Sequence, residues 1–264
     1  MFFINTDIDL ILNDLVRSHL LAIKSEFEAE GVRRNELSEL ALKCLMLRIP
    51  QAIKIGGCEA RTDLYDAIAP HVDFIIAPMI ETSYAAIKFC QLVKSCSKHI
   101  ERVPSLLINI ETHTALLNID SILDVCLDYG IISGVVFGRV DFTSSLGLSR
   151  EDLPSNQVSD ACLEAATKTK SACLDFVVGG GISAESLGFL RSVREINLSR
   201  FETRKCIFSS LLLDDDTNFA NTLGQAVAFE LLWLKAKKLF YIQISQEDET
   251  RIEMLSRRHL FKLG

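Results

Sequence analysis

The feature that most constrains the fold of this chain is an alternation of short apolar runs with segments of helical spacing. Short apolar runs bounded by polar residues or glycine predict buried parallel strands. We predict strands at residues 20–24, 51–55, 72–77, 105–110, 132–137, 174–178 and 195–198. Apolar residues recur at helical spacing between them, as in 35–47, where Asn35 is a suitable N-cap. Seven such repeats with short linkers predict an α/β fold whose right-handed crossovers close a TIM-type (β/α)8 barrel or a modified barrel.

The two ends of the chain lie outside this repeat. Residues 8–18 have helical spacing, and residues 2–5 are one candidate for the eighth strand. Residues 219–239 form a long helical stretch rich in Ala, Leu and Phe, and the charged segment 246–257 predicts an exposed helix. We therefore predict a barrel domain at 1–216 and a C-terminal helical extension at 217–264. The extension would cover one end of the barrel or form an interface, so we expect a homo-oligomer.

Composition excludes several functional classes. Of the 264 residues 48% are hydrophobic, which is enough for a large core, and the net charge of −7 argues against a nucleic-acid partner. The eight cysteines mostly lie in apolar periodic stretches without a CxxC pair, which is typical of free core thiols. No apolar run approaches the length of a membrane span, and the N-terminus has no basic leader. We expect a cytoplasmic protein without a membrane partner.

Two acidic residues that each end an apolar run carry the functional prediction. The run 106–110 ends at Glu111, and the run 134–140 ends at Asp141. Because barrel enzymes gather their chemistry at the carboxyl ends of the strands, we expect both side chains at the barrel mouth. Two carboxylates with water in the remaining positions suit a hard divalent cation such as Mg²⁺ or Mn²⁺. The alternative is that both acids only cap strand ends and the following helices.

Around these acids the chain resembles the HpcH/HpaI aldolase and citrate lyase β-subunit family, from about residue 20 to residue 208. Four blocks carry the resemblance, and their order and spacing make it specific. They are 53–55 (IKI), 74–82 (FIIAPMIET), 108–112 (INIET) and 138–147 (GRVDFTSSLG). Members of the family are modified TIM barrels of the pyruvate-kinase-like type, so the resemblance implies that fold.

The resemblance also implies a reaction. In the family a divalent metal acts as a Lewis acid on a 2-oxo acid such as pyruvate and stabilises the enolate while a carbon–carbon bond forms or breaks. Carried over to this chain, Glu111 and Asp141 become the metal ligands, and Lys54 becomes the cation that faces the substrate. The implied activity is a class II aldolase or carbon–carbon lyase that uses Mg²⁺ or Mn²⁺, with an aldehyde as the second reactant.

Three departures from the family pattern concern catalysis. Lys54 stands where many members have Arg, and a lysine cannot form the planar two-point clamp of a guanidinium. Arg139 stands where many members have Pro, so it either supplies that guanidinium or pairs with Glu111 or Glu81. The family's His after an early strand is missing, which leaves Glu28 or a water molecule on the metal to move the proton. Lys54, Arg139 and Glu28 are therefore the candidate catalytic residues.

The candidate substrate-binding residues are Gly138, Glu59 and Glu81. Glu81 follows a strand end and would orient a water molecule of the metal site. Glu59 is either part of the site or an ordinary charge of a solvated loop. The glycines at 179–181 precede a helix, where they would either cradle a phosphate or form a tight barrel turn.

Two rival functions remain open on the sequence. One is an acyl-CoA lyase or thioesterase of the citrate or malyl-CoA lyase type, for which Arg204 and Lys205 are the only basic pair near the end of the barrel. The other is a barrel without catalysis that serves as a binding subunit, because the His is missing and Lys54 replaces Arg.

Overall fold

A closed ring of eight strands in chain order forms the centre of the computed structural model, which describes residues 6–70, 72–97 and 102–258. Strands β1 to β8 span Leu20–Glu26, Gln51–Lys54, Phe74–Ala77, Ser105–Ile110, Ile132–Gly138, Asp175–Gly179, Leu198–Glu202 and Cys206–Ser209. Helices α1 to α10 span Thr6–Arg17, Arg34–Leu47, Arg61–Ile68, Ser83–Cys96, His113–Leu117, Ile119–Tyr129, Arg139–Ser145, Asn156–Ser171, Leu187–Ile196 and Asp216–Arg258. The predicted α/β barrel with a C-terminal helix is confirmed.

The barrel is modified at its last strand. Strands β1 to β7 are parallel, whereas β8 pairs antiparallel with both β7 and β1. The predicted strand at 195–198 is wrong, because Glu195 and Ile196 end the amphipathic helix α9 and β7 begins only at Leu198. The candidate eighth strand at 2–5 lies outside the described residues. The N-cap of α2 is Arg33, and the predicted cap Asn35 lies in the first turn.

The interior of the barrel is mainly apolar in its lower part, towards the amino ends of the strands. Its upper part, towards the carboxyl ends, holds buried Lys and Glu side chains. Ile76, Leu107, Val136 and Val177 pack together in the lower interior. Burial of each such side chain contributes about 1.5–3 kcal/mol to stability. Above this layer, strands β1, β2 and β7 point buried Lys and Glu side chains inwards at Lys24, Lys54 and Glu202. The buried groups Lys24, Lys54 and Glu202 therefore lie towards the carboxyl ends of the strands, whereas Arg200 pairs with Asp175 at the start of β6.

The segments that join β3 to α4 and β4 to α5 both end in the dipeptide Glu-Thr. Thr82 caps α4 and Thr112 caps α5, and each hydroxyl accepts a hydrogen bond from the backbone N–H three residues later. Such a cap is worth about 1 kcal/mol. The threonine fixes where the helix starts, so the preceding residue, Glu81 or Glu111, is held at the barrel mouth.

The C-terminal helix α10 is one continuous helix of 43 residues, which joins the two segments predicted at 219–239 and 246–257. Its first half packs on α1 and buries Phe219, Phe229 and Trp233. Farther along, Lys237 and Tyr241 bind Glu36 of α2, and every residue from 242 to 258 is exposed. The division into domains at 1–216 and 217–264 stays a prediction. Within the described residues no helix is long and apolar enough to span a membrane.

Candidate active site at the barrel mouth

Glu111 is the central carboxylate of the barrel mouth. It follows β4, is 1% exposed, and accepts hydrogen bonds at both oxygens. Asn109 Nδ2 donates to Oε2 at 2.7 Å, and Met79 N donates to Oε1 at 3.0 Å. Lys54 Nζ lies 3.4 Å from Oε2. A buried carboxylate that is held by an ammonium, an amide and a backbone N–H keeps its negative charge in a fixed position.

The backbone N–H that reaches Glu111 depends on an unusual conformation of Met79. Met79 has a φ of +51°, in the left-handed region that a residue with a Cβ enters at a cost of about 1–2 kcal/mol. The same loop is tied to β4 by Ile80 N, which donates to Asn109 O at 3.3 Å. The strained residue thus turns a backbone donor onto the carboxylate of Glu111.

Lys54 ends β2, and its ammonium lies between two carboxylates. It is 2.9 Å from Glu28 Oε2 and 3.4 Å from Glu111 Oε2. Burial by itself would lower the pKa of Lys54, but the charges of Glu111 and Glu28 outweigh it and raise that pKa, so the side chain stays charged. The structure therefore brings together Lys54, Glu28 and Glu111, three of the predicted site residues.

Gly138 and Asp141 complete the predicted group beside Glu111. A Cβ added to Gly138 would lie 2.7 Å from Glu111 Oε2, so only glycine leaves room for that carboxylate. Asp141 is partly buried in the first turn of α7, three residues beyond Gly138. Among the described residues Asp141 forms no salt bridge. Both predicted metal ligands therefore come to the same side of the mouth.

Comparison with known proteins decides the family. A sequence profile of the HpcH/HpaI aldolase/citrate lyase family matches residues 34–207. The chain belongs to this family. A comparison with curated protein sequences found no significant match to this chain.

Solved structures of HpcH/HpaI proteins have the same fold. An HpcH/HpaI aldolase from Desulfitobacterium hafniense is 14% identical with a TM-score of 0.60, over 76% of this chain and 83% of that chain. A family protein from Burkholderia cenocepacia is 12% identical with a TM-score of 0.59, over 84% and 90%. The citrate synthase SbnG is 14% identical with a TM-score of 0.60, over 86% and 89%. At these identities the likeness establishes the fold alone.

The residues at the mouth of this HpcH/HpaI protein fit a divalent cation. Among the described residues no cluster of three or more His, Cys, Asp or Glu side chains is arranged to ligate a metal, so the protein would supply the two carboxylates of Glu111 and Asp141. Carboxylates are hard oxygen donors that suit Mg²⁺ or Mn²⁺, with water in the other positions. Asn109 Oδ1 is an additional buried oxygen without a hydrogen-bond partner beside Glu111. The missing Cβ of Gly138 leaves the room that the carboxylate of Glu111 occupies.

Arg139 faces away from the predicted metal ligands. Its Nε donates to Gly180 O at 3.1 Å and its Nη2 to Gly181 O at 2.9 Å, and the guanidinium lies over the ring of Phe189. Burial lowers the pKa of Arg139. These contacts show that Arg139 holds the loop after β6, and its catalytic role stays a prediction that they do not support.

The glycines of that loop form a tight turn rather than an open cradle. Gly180 and Gly181 have φ values of +83° and +61°, which favour glycine. A Cβ added to Gly180 would lie 2.8 Å from Val140 N at the start of α7. The loop is therefore packed against α7, and of the two alternatives the sequence leaves open, the structure favours the turn.

The other two predicted substrate-binding acids differ in position. Thr112 Oγ1 donates to Glu81 Oε1 at 2.7 Å, which places Glu81 next to the residue that follows Glu111. Glu59 is exposed and pairs with Lys88 of α4 at 2.7 Å, without a contact to Lys54 or Glu111 among the described residues. The position of Glu81 agrees with a supporting role, and a binding role for Glu59 stays a prediction.

Sequence reasoning missed a second buried ion pair at the mouth. Lys24 Nζ of β1 lies 2.5 Å from Glu202 Oε1 of β7 and 3.2 Å from Glu26 Oε1. Burial would lower the pKa of Lys24, but Glu202 and Glu26 outweigh it and raise that pKa above its usual value. The signal was available, because Glu202 also ends a strand, but Ser199 and Arg200 interrupt the apolar run of β7.

The mouth as a whole carries more negative than positive charge. A third pair, Lys205 and Glu30, lies 2.5 Å apart with Lys205 buried. The lysines of these pairs are Lys24, Lys54 and Lys205, and the carboxylates are Glu26, Glu28, Glu30, Glu111 and Glu202. A cavity of about 800 Å³ between α2 and α3 contains none of the predicted site residues.

Proposed function

We propose that this HpcH/HpaI protein is a divalent-metal-dependent aldolase or carbon–carbon lyase that acts through the enolate of pyruvate or a related 2-oxo acid. The aldehyde is the second reactant. The observation that supports this proposal most directly is the contact of Lys54 with Glu111, which follows β4, while Asp141 lies in the first turn of the helix that follows the neighbouring strand β5. Membership in a family of aldolases and lyases supports the same reaction class.

Each residue has a separate part in this proposal. Glu111 and Asp141 hold Mg²⁺ or Mn²⁺, which when bound supplies Lewis acidity for enolate formation. Lys54 offers a fixed positive charge to the carboxylate of the 2-oxo acid. Glu28 keeps the ammonium of Lys54 in place, and the strained loop at Met79 does the same for Glu111.

The test is solvent deuterium exchange into the methyl group of pyruvate, followed by NMR with Mg²⁺ or Mn²⁺ and after EDTA treatment. We expect exchange with metal and loss of exchange with EDTA. In Asp141→Asn, Mn²⁺ affinity should fall at least ~10-fold and exchange at least ~100-fold, because one of two protein ligands is lost. Asp120→Asn is the matched control, since Asp120 occupies the first turn of α6 and is exposed.

Three outcomes separate the proposal from its rivals. Wild-type exchange in Asp141→Asn would contradict the proposed metal site. Retained Mn²⁺ binding without exchange would favour a larger 2-oxo acid or a barrel that only binds. Binding of CoA would favour an acyl-CoA lyase or thioesterase, although Lys205 is buried against Glu30 and is not open to a CoA phosphate.

A further inference from the structure

Glu111 and Glu202 stand at the two ends of one row of strand-end positions. Ile110 pairs with Phe137, so Glu111 lies beside Gly138 in the next position. Gly138 pairs with Gly179. Val178 pairs with Phe201, so Gly179 lies beside Glu202. The row across β4, β5, β6 and β7 is therefore a carboxylate, two glycines and a second carboxylate.

Both carboxylates lean over the glycine next to them. A Cβ on Gly138 would lie 2.7 Å from Glu111 Oε2, and a Cβ on Gly179 would lie 2.9 Å from Glu202 Oε1. The outer positions of the row are three strand spacings apart, or ~14 Å along the ring. Because each carboxylate leans over the glycine next to it, and the two glycines lie on adjacent strands, the side chains of the two acids approach each other across the mouth. A small molecule bound at Glu111 would therefore lie close to Glu202.

One carboxylate oxygen of Glu202 is paired with a lysine, and the other has no hydrogen-bond partner. Oε1 binds Lys24 at 2.5 Å, whereas Oε2 is buried and has no hydrogen-bond partner. Among the described residues it is the only buried carboxylate oxygen in this state. The interior beneath Glu202 is mainly apolar and holds a void of only about 10 Å³, which is at the limit for one water molecule. The described residues therefore give Oε2 no partner, and a ligand in the mouth is the partner that we infer.

We propose that Glu202 is the base of the reaction and that Lys24 positions it. This inference rests on the proposed function and extends it to the proton. Glu202 Oε2 takes a proton from C3 of the 2-oxo acid: the C–H bond breaks and an O–H bond forms, the C–H electron pair becomes the C2–C3 double bond, and the π pair of the C2 carbonyl moves onto its oxygen to give the enolate. When the enolate carbon attacks the aldehyde, the C2 carbonyl forms again, the π pair of the aldehyde moves onto its own oxygen, and protonated Glu202 gives a proton to that alkoxide.

Glu202 suits this role better than the other acids of the mouth. Carboxylates in partly apolar sites serve as bases for protons next to a carbonyl group. Both oxygens of Glu111 are engaged, and Glu28 lies on an exposed loop and is paired with Lys54. Lys24 stays an ammonium, so it can hold Glu202 in one rotamer without taking the proton in its place.

The experiment compares Glu202→Gln with Glu30→Gln. Both changes turn the acid of a buried Lys–Glu pair at the mouth into an amide, but only Glu202 belongs to the row. In Glu202→Gln we expect methyl deuterium exchange to fall about 100-fold or more, with Mn²⁺ affinity within about threefold of wild type. Glu30→Gln should exchange within about threefold of wild type. Thermal melting checks that both variants are folded, and Glu202→Asp is the alternative if the amide does not fold.

A second readout does not depend on turnover. Glutamate labelled with ¹³C at Cδ reports each carboxyl by NMR, and the signal missing from Glu202→Gln identifies Glu202. Addition of Mg²⁺ and oxalate, a planar mimic of the enolate, should shift that signal. Equal exchange in Glu202→Gln and wild type would overturn the inference and leave the proposed function intact.

The remaining outcomes separate the two proposals. If wild type shows no exchange but oxalate shifts the Glu202 signal, pyruvate fails as the substrate while Glu202 keeps its place beside the ligand. If wild type shows no exchange and the signal does not move, both proposals are overturned.

Discussion

At the scale of single residues, the mouth is built by charges that hold one another in place and by glycines that make room for them. The sequence predicted Lys54 and Glu111 at strand ends, and the structure joins them through Glu28. It could not predict which acids are paired, since that depends on side chains from distant strands. The pair of Lys24 and Glu202 was missed because polar residues interrupt the apolar run of β7. The catalytic role of Arg139 stays a prediction, which its bonds to the carbonyl oxygens of Gly180 and Gly181 do not support.

The room beside Glu111 can be tested at Gly138. In Gly138→Ala the new methyl group would overlap Oε2 and Cβ of Glu111. We expect a loss of about 1–3 kcal/mol in the free energy of unfolding and a Mn²⁺ affinity at least ~10-fold weaker. Urea unfolding and Mn²⁺ titration measure the two effects.

Gly224 provides the matched control. It is exposed within α10, and a Cβ there would meet nothing within 4 Å. Gly224→Ala should stabilise the protein by about 0.5–1 kcal/mol, because alanine favours helix over glycine. Unchanged metal affinity in Gly138→Ala would show that the space beside Glu111 is not the cation site.

At the scale of elements, local signals predicted most strands and helices, and the errors lie where packing overrides them. The strand predicted at 195–198 fails because Leu190 and Val193 bury one face of α9, which continues to Ile196. The eighth strand, Cys206–Ser209, is too short to stand out and runs against the parallel repeat. Helix α10 continues through a charged stretch because helical spacing does not require an apolar face along its whole length.

The anchor between α10 and α2 is open to a direct test. Tyr241 donates its hydroxyl to Glu36 Oε1 at 2.6 Å, and Lys237 Nζ lies 2.9 Å from Oε2 of the same fully buried carboxylate. Tyr241→Phe removes a hydrogen bond to a charged group, which is worth about 1.5–3 kcal/mol. We expect faster amide hydrogen exchange in the second half of α10.

The control for this change is Tyr65→Phe in α3. Tyr65 is 51% exposed, and removal of its hydroxyl should change stability by no more than about 0.5 kcal/mol. If Tyr241→Phe leaves hydrogen exchange in α10 as slow as in wild type, the anchor does not hold the helix.

At the scale of the whole molecule, the charged mouth makes stability depend on pH. Burial would raise the pKa of Glu26, but Lys24 and Lys54 outweigh it and lower that pKa. Below about pH 4.3, the usual value for Glu, the unfolded chain binds a proton before the folded one does. The stabilisation is therefore complete above this pH and is lost as the pH falls through the folded-state pKa.

Urea unfolding at a series of pH values between about 7 and 3 measures this dependence. Glu26→Gln removes the carboxyl group that binds this proton. The slope of the free energy of unfolding against pH in the acid range should therefore decrease by up to about 1.4 kcal/mol per pH unit. Parallel curves for the variant and wild type would contradict the assignment to Glu26. Glu30→Gln is the matched control from another pair of the mouth.

The exposed half of α10 bears on the predicted homo-oligomer. The helix is ~65 Å long at 1.5 Å per residue, and beyond Tyr241 it exposes apolar side chains. They are Ile242, Ile244, Ile252, Met254 and Leu255. Because a large exposed apolar surface marks an interaction site, we expect light scattering to give a multiple of the 29.5 kDa chain mass. A chain ending at residue 241 should give the mass of a single shortened chain. If the full-length protein is a monomer, the prediction is wrong.

The ion pair between Lys24 and Glu202 has a consequence for how the protein reaches its native state. It joins residues 178 positions apart, on the strands that flank β8 in the closed ring. Contacts between such distant parts of a chain form late, because a long loop must close first. The charged mouth is therefore complete only when the last strand has entered the ring. During synthesis, a growing chain that has not yet released β7 and β8 would hold Lys24 without its partner Glu202, and Glu30 without its partner Lys205.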